Sequence, residues 1–371
     1  MTPLRVGFAV PNLAMGGVLR WILAQAAAHH PAFSVREVLF TSYKAFDGAL
    51  ARLFLAHGVR VVYAGSRKPY RVYPAHVDPD KSRAVQQMVD DCDVVHLFGF
   101  LETDLPWLGQ VDFRGRPVVL TAHGSCEYTT QTLTALQPFG THFCAVSRAA
   151  AQACPASLPS PVTILPVGID LNRSTATRPR EEVRGDLGAS AQDVLVGYIG
   201  RWTSDKNPLL VARAVRVMPP RFRAVLVGCG FRERRLSREA RRLLDDRVSI
   251  VPYVEHVGDI LHAIDVVVLA SQSEGSPLVW LEAAAAGRPF VATPVGNIVE
   301  YEEDLGPLVV RVPMDPSPER LAEAVVEAMR PEMAPRWEAA RRMVISRHAL
   351  PRALDLQARY LQQITTEACG R

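Results

Sequence analysis

The sequence predicts an α/β protein built as two doubly wound domains facing each other across a cleft, and three observations carry that expectation. The chain has 371 residues, more than one ordinary core holds, so two domains of roughly 150 to 200 residues each are expected. Short β-branched runs alternate with longer helical patterns from end to end, as in βα units around parallel sheets. Near the middle, 171-LNRSTATRPREEVRG-185 loses its apolar periodicity and reads as a polar linker.

The elements follow in order. LRVGFAV (4–10), SVREVLF (34–40), VRVVYA (59–64), DVVHLF (93–98), PVVLTA (117–122) and THFCAV (141–146) read as strands before the linker. VLVGYIG (194–200), RAVLVG (223–228), VSIVPY (248–253), DVVVLA (265–270) and PFVATP (289–294) read as strands after it. Eleven strands are too many for one compact doubly wound sheet, and a single barrel would want eight evenly spaced units without a linker. Two Rossmann-like domains fit, spanning residues 1–175 and 186–350. The tail 352-RALDLQARYLQQITTEA-368 reads as a further helix within 351–371.

Composition excludes several classes. Hydrophobic residues make up 48% and charged residues 22%, ordinary for a folded chain. The net charge of +4 is spread over both parts, which leaves no basic half as a nucleic-acid footprint. The arginine-dense 231-FRERRLSREARRLLDDR-247 interleaves acids and reads as a solvated helix face. No apolar run reaches the length of a membrane span. The loop 67-RKPYRVY-73 mixes cations and aromatics, so peripheral membrane contact stays open beside a plain surface loop. The six cysteines form no C-x-x-C pair and no zinc spacing, and the start has no signal-peptide pattern; a reducing cytoplasm is the expected location. The oligomeric state has no sequence signal.

In open α/β sheets, ligands bind beyond the carboxyl ends of the strands. After the first strand, Gly16 and Gly17 precede an amphipathic helix, which suits an approaching anion or simply a turn. After the strand at 117–122 comes His123 in 121-TAHGS-125, placed to hydrogen-bond a hydroxyl or to cap the strand end. His96 lies inside an apolar run and reads as a core histidine. In 200-GRWTSDKNP-208, Arg201 and Lys206 converge beside a glycine, as a diphosphate needs. Lysine is scarce here, with only Lys44, Lys68, Lys81 and Lys206 among 42 cations, so Lys206 stands out. Finally 273-SEGSPLVWLEAAAAG-287 keeps two carboxylates seven residues apart in an apolar stretch. Ser276 suits a helix N-cap, Pro277 the first helical position and Gly287 the position past the C-terminus. Glu274 then lies in the strand-to-helix loop and Glu282 on the second turn. A glycosidase acid and nucleophile pair is disfavoured because Glu282 is embedded in a helix followed by alanines. Asp78-Pro79-Asp80 and Asp91-Cys92-Asp93 fit a metal-holding D-x-D pattern, but Asp80 reads better as a helix cap and Asp93 leads into a strand.

Taken together, GGVLR (16–20), VVHLFG (94–99), TAHG (121–124), AVS (145–147), ILPVGID (164–170), GYIGRWTSDKNP (197–208) and the block from Ser273 to Glu300 resemble the retaining GT-B glycosyltransferases, specifically glycosyltransferase family 4 with its E-x7-E signature. The resemblance implies a GT-B fold whose C-terminal helix packs back on the first domain. It also implies sugar transfer from a nucleotide-diphosphate sugar, UDP-sugar favoured over GDP-sugar, with retention and without a metal or other cofactor. Arg201 and Lys206 would bind the diphosphate, and Glu282 the ribose. Glu274 with the backbone of Gly275, Ser276, Pro277 and Leu278 would hold the sugar. His123 would sit near the anomeric carbon, with Gly16 and Gly17 near the phosphates. Val167 and Asn297 stand where the family carries asparagine and glycine, and 282-EAAA-285 replaces E-A-M-A. Glu102, Asp104 and Glu127 are candidates for meeting a cationic acceptor such as an aminocyclitol, or are surface acids. Glycan or lipid-linked acceptors fit equally, and the arginine bias suggests a GC-rich bacterium with antibiotic biosynthesis or envelope glycan synthesis as settings. A UDP-sugar 2-epimerase and a non-catalytic nucleotide-sugar binder are the rival readings.

Overall fold

The computed structural model describes the chain apart from residues 1, 14–15, 43–46, 66–75, 79, 229–232, 255 and 370–371. The cation-aromatic loop 67–73 thus lies outside the described residues. The chain divides into two compact units, Met1–Gly168 with Pro351–Arg371, and Ile169–Leu350. Each is a parallel α/β sheet with helices, the Rossmann-like pattern expected.

The first unit holds β1 (Leu4–Asn12), β2 (Phe33–Ser42), β3 (Arg60–Ala64), β4 (His76–Asp78), β5 (Val94–Leu97), β6 (Val118–Ala122), β7 (His142–Ala145) and β8 (Val162–Ile164). They lie in the order β4-β3-β2-β1-β5-β6-β7-β8, with every pairing parallel. The second unit holds β9 (Val194–Ile199), β10 (Phe222–Val227), β11 (Val248–Val251), β12 (Val266–Leu269), β13 (Phe290–Ala292) and β14 (Val310–Arg311), ordered β11-β10-β9-β12-β13-β14 and again parallel. The central strands are continuous apolar runs, not alternating ones, because helices cover both faces of a parallel sheet. Phe8, Val38, Val95 and Leu120 in one unit, and Val196, Leu226, Val267 and Val291 in the other, are accordingly buried.

The eleven expected strands are all present, and β4, β8 and β14 are additional. The segment read as a linker is ordered within the second unit: Arg180–Asp186 is a helix with Val183 and Arg184 buried. The Arg184 guanidinium donates to the carbonyls of Ala263 and Asp193 and to Asp265 Oδ2, which anchors this helix under β12. Its polar sequence hides a structural arginine that periodicity does not register.

The C-terminal helix Leu350–Cys369 belongs from Pro351 onward to the first unit. Its Ala353, Leu354, Ala358, Leu361 and Ile364 are buried there. His30 Nε2 lies 3.3 Å from Asp355 Oδ1, and His142 Nε2 lies 3.7 Å from Glu367 Oε2. The helix therefore packs back on the first sheet, as expected. No helix among the described residues is long and apolar enough to cross a membrane.

Candidate active site

In each sheet the strand order reverses once, between β1 and β5 and between β9 and β12, and loops leaving such a reversal open a crevice at the carboxyl ends. In the second unit those loops begin at Gly200 and Ala270. Gly228, at φ +140°, packs against the Gly200 carbonyl so closely that any Cβ would overlap it, which keeps the loop after β9 tight against its neighbour.

Lys206 ends a short 3-10 turn, Ser204–Lys206, before Asn207 takes φ 49° and Pro208 starts the next helix. Its ammonium lies 2.8 Å from Glu274 Oε1 and 3.4 Å from Asp205 Oδ2, and donates to the Ser273 carbonyl at 2.8 Å. The Ser271 hydroxyl donates to the same Glu274 oxygen at 2.8 Å, and the Gln272 amide donates to the Asp205 carbonyl at 2.8 Å. The two loops are thereby joined through one cation and one carboxylate. Arg201 is exposed and makes no ion pair among the described residues. Its carbonyl accepts the buried Tyr198 hydroxyl, whose pKa is raised chiefly by burial, so Tyr198 stays a neutral donor. Structure thus brings Arg201, Lys206 and Glu274 to one edge, with Lys206 already neutralised and Arg201 open to solvent.

The helix after this loop spans Leu278–Ala285 with Pro277 as N-cap. Ser276 is not the cap the sequence suggested. Its hydroxyl instead accepts the Asn297 side-chain amide at 2.8 Å, which removes it from the capping position. Gly287 takes φ +66° just past the helix end, as expected. The amides of Leu278 and Val279, in the first turn, have no intrahelical acceptor and leave a positive dipole end. The Gly275 carbonyl accepts the Asn297 amide at 3.0 Å. Gly296, at φ +59°, would bring a Cβ to 2.6 Å from that carbonyl. Asn297, which departs from the family pattern, therefore holds the glutamate-bearing loop in place.

Glu282 is buried on the second turn and pairs with Arg173 at 3.2 Å. Burial raises its pKa and Arg173 opposes the rise. Arg173 was missed by sequence reasoning. It sits 109 residues away in the Leu171–Ser174 turn, within a stretch that reads as linker, and no spacing rule connects the two.

In the first unit Gly16 is the extended N-cap (φ −179°) of the helix Gly17–Ala27, and a Cβ on Gly17 would meet nothing within 4 Å. That space is what an approaching ligand requires and also what an ordinary turn offers. His123 follows β6 directly, with its Nε2 sealed and without a partner and its ring 4.9 Å from that of Phe98. Burial lowers its pKa to about 4, so it is a neutral imidazole near pH 7. His96 is buried in β5, its ring 4.7 Å from that of Phe8, and its pKa is lowered to about 3, again by burial. It is a core histidine in position, yet neither ring nitrogen has a partner.

The three acidic residues lie on two elements that touch, the 3-10 turn Glu102–Asp104 and the helix Glu127–Leu136. Asp104 caps its own turn, accepting from the Leu101 amide at 3.1 Å and the Trp107 indole at 3.2 Å. Glu127 accepts from Gln131 at 3.1 Å on an exposed helix start, and Glu102 is exposed on the 3-10 turn Glu102–Asp104. Asp80 caps the helix Lys81–Asp91 by accepting from the Arg83 amide, and Asp93 is tied to Arg5 at 3.1 Å.

Residues 193–330 match the family described as Glycosyl transferases group 1, so the second unit carries a domain of that type. The D-inositol 3-phosphate glycosyltransferase of Xylanimonas cellulosilytica is 32% identical over 149 residues, covering 37% of this chain and 36% of that protein. TuaC of Bacillus subtilis, designated a teichuronic acid biosynthesis glycosyltransferase, is 33% identical over 137 residues, covering 37% of this chain and 34% of its own length. The matched stretch thus spans about a third of these relatives. Among solved structures, Anabaena HepE in complex with UDP-glucose superposes with a TM-score of 0.79 at 19% identity, covering 97% of this chain and 100% of that one. Sucrose-phosphate synthase of Thermosynechococcus elongatus gives 0.72 at 16% identity over 98% and 100%. The fold is GT-B.

Proposed function

We propose that the chain is a retaining, metal-independent GT-B glycosyltransferase of family 4, working in the cytoplasm. It moves a sugar from a nucleotide-diphosphate sugar, UDP-sugar ahead of GDP-sugar, to a small-molecule acceptor such as an aminocyclitol, or to a glycan or lipid-linked acceptor. The observation that carries this reading is the Lys206–Glu274 pair at 2.8 Å beside the unpaired Arg201, at the reversal point of the second sheet. A relative named for D-inositol 3-phosphate supports a polyol acceptor, and a neighbour holding UDP-glucose supports the donor class.

In this reading the donor diphosphate takes over Lys206 from Glu274 and meets Arg201, which offset the charge that develops as the nucleotide leaves. Glu274, released from Lys206, turns its carboxylate to the sugar hydroxyls. Glu282, fixed by Arg173, accepts from the two ribose hydroxyls. The amides at the start of Leu278–Ala285 add a fixed positive end to the same anion. On the first unit, His123 offers a neutral imidazole to the sugar being transferred. The acceptor hydroxyl attacks the anomeric carbon on the face the diphosphate leaves, and its proton passes to a departing phosphate oxygen. The sugar's configuration is then retained.

The test is an assay with mixed UDP-, GDP-, TDP- and ADP-sugars against inositol and aminocyclitol acceptors, with product configuration read by NMR and EDTA present. Lys206→Ala should lower turnover by roughly 10²- to 10³-fold, the usual loss of one oxyanion partner, while thermal unfolding stays cooperative. Near-normal turnover in that variant sinks the diphosphate role.

A further inference from the structure

The helix Glu233–Leu244 packs on the helix Pro208–Val217 and on β11 in the second unit, with Ala240 and Leu244 buried. Every exposed position described on it is an arginine: Arg234, Arg235, Arg238, Arg241 and Arg242. At 3.6 residues per turn these five share an arc of about 120°, facing away from Ala240 and Leu244. None of the five has an ion pair among the described residues, and Glu239, the acid beside them, is engaged by Arg213 of the neighbouring helix at 3.3 Å. Arg216, one turn after Arg213, is exposed on the same side. Asp245 and Asp246 lie past the helix end on the turn Asp245–Arg247 and pair with none of these arginines among the described residues. Exposed helices elsewhere in the unit are built differently: Arg320 faces Glu323 at 3.3 Å and Arg342 faces Glu338 at 3.5 Å, each within one turn. A face meant only for water gains nothing from cations three and four residues apart, which repel, or from cations in the first turn, where the helix dipole opposes them.

We infer that this face is a docking surface for a membrane bearing anionic phospholipids, which lies against the helix Glu233–Leu244 and the adjoining side of Pro208–Val217. A guanidinium group takes phosphate oxygens in pairs. Arg235, Arg238 and Arg242, with Glu239, border an open recess of about 290 Å³, where a lipid phosphate can sit between them. Two features favour a lipid surface over a strand of nucleic acid. The cations are spread over two helices packed side by side, about 10 Å apart, so they match a sheet of phosphates better than a line. The five exposed positions also carry no aromatic ring or amide to stack on a base or read its edge. They carry no apolar side chain either, so the helix rests on the headgroups without inserting and the attraction is electrostatic. Each guanidinium held near an anionic bilayer strengthens binding about fivefold, and salt screens the gain. The inference stands apart from the glycosyl-transfer reading.

Flotation of the full chain with vesicles of phosphatidylcholine containing about one-third phosphatidylglycerol tests it, against vesicles of phosphatidylcholine alone. Wild type should bind the anionic vesicles at about 0.1 M salt, release them at about 0.5 M as the Debye length shrinks, and ignore the neutral ones. The triple variant Arg235→Gln, Arg238→Gln, Arg242→Gln should bind about a hundredfold more weakly, and the same three positions changed to Lys should hold affinity within about fivefold. Arg320→Gln, Arg342→Gln and Arg352→Gln together remove the same charge elsewhere and should stay within about twofold of wild type. If the glutamine triple fails to fold, Arg234→Gln with Arg241→Gln should weaken binding about 25-fold. No binding by wild type, equal binding to both vesicles, or unchanged binding in the variants of this face overturns the inference. So does an equal loss in the control variant, which would make net charge alone the cause. Wild type that binds duplex DNA or polyphosphate at the same salt, but not the vesicles, overturns it in favour of a soluble polyanion. None of these readouts needs turnover, so failure of the transfer reading leaves the docking surface standing.

Discussion

A carboxylate buried as deeply as that of Glu282 persists only with a cation against it, and Arg173 is that cation at 3.2 Å. Taking both ions out of water is costly, so the net worth of such a pair is small, whereas removing one partner leaves an uncompensated charge. Arg173→Ala should therefore destabilise the second unit by about 3 kcal/mol. The same change on a Glu282→Gln background should cost much less, which gives a coupling energy of about 2 kcal/mol in a double-mutant cycle. Chemical denaturation of the four proteins measures it. Additivity would mean that Arg173 acts on its surroundings and not on the carboxylate. In the transfer assay Arg173→Ala should raise the donor KM, since Glu282 would no longer be aimed.

At the level of elements, the loop that carries Glu274 is held from behind by the start of the helix Asn297–Leu305. Two hydrogen bonds from Asn297, to the Gly275 carbonyl and the Ser276 hydroxyl, clamp it, and Gly296 supplies the positive φ and the space that the clamp needs. Gly296→Ala introduces a Cβ 2.6 Å from a backbone oxygen at φ +59°, which neither a rotamer change nor a flexible neighbour can relieve. A destabilisation of about 2 to 3 kcal/mol is expected, with a donor KM several-fold higher. An unaltered KM would show that the loop is positioned from elsewhere. The long central strands were legible in the sequence because runs such as VLVGYIG and DVVVLA have no reading as amphipathic helices. The strands β4, β8 and β14 were not, since two or three residues at a sheet edge are too few to show a period. Lys206 and Glu274 were legible as types in a pattern, but their direct pairing was not, because contacts across 68 residues leave no trace in spacing. Ser276 misled for a related reason: its hydroxyl is taken by a residue 21 positions on.

For the molecule as a whole, three buried titratable groups in the first unit shape stability against pH, and they pull in opposite directions. His96 and His123 have pKa values lowered to about 3 and about 4, both by burial. The unfolded chain, with histidine near 6.5, binds protons that the folded unit refuses. Their contribution is present above pH 6.5 and is lost as pH falls, by about 2 kcal/mol for His96 at pH 5 and somewhat less for the partly covered His123. Glu37, in β2 and 1% exposed, is the opposite case: burial raises its pKa to about 7, with Arg60 opposing. Its folded form holds a proton that the unfolded carboxyl releases near 4.5, so its contribution is full below that value and is lost as pH rises to 7. Glu37→Gln mimics the protonated form at every pH. Arg60 then keeps Asp91 at 3.3 Å, so no cation is stranded. The variant should exceed wild type by about 2 to 3 kcal/mol at pH 8, the gap should close towards pH 5, and its stability should fall more steeply on acidification because the histidines act unopposed. Denaturation followed at pH 5, 6.5 and 8 reads all three. A gap that stays constant with pH would mean that Glu37 is ionised in the folded unit and held by Arg60.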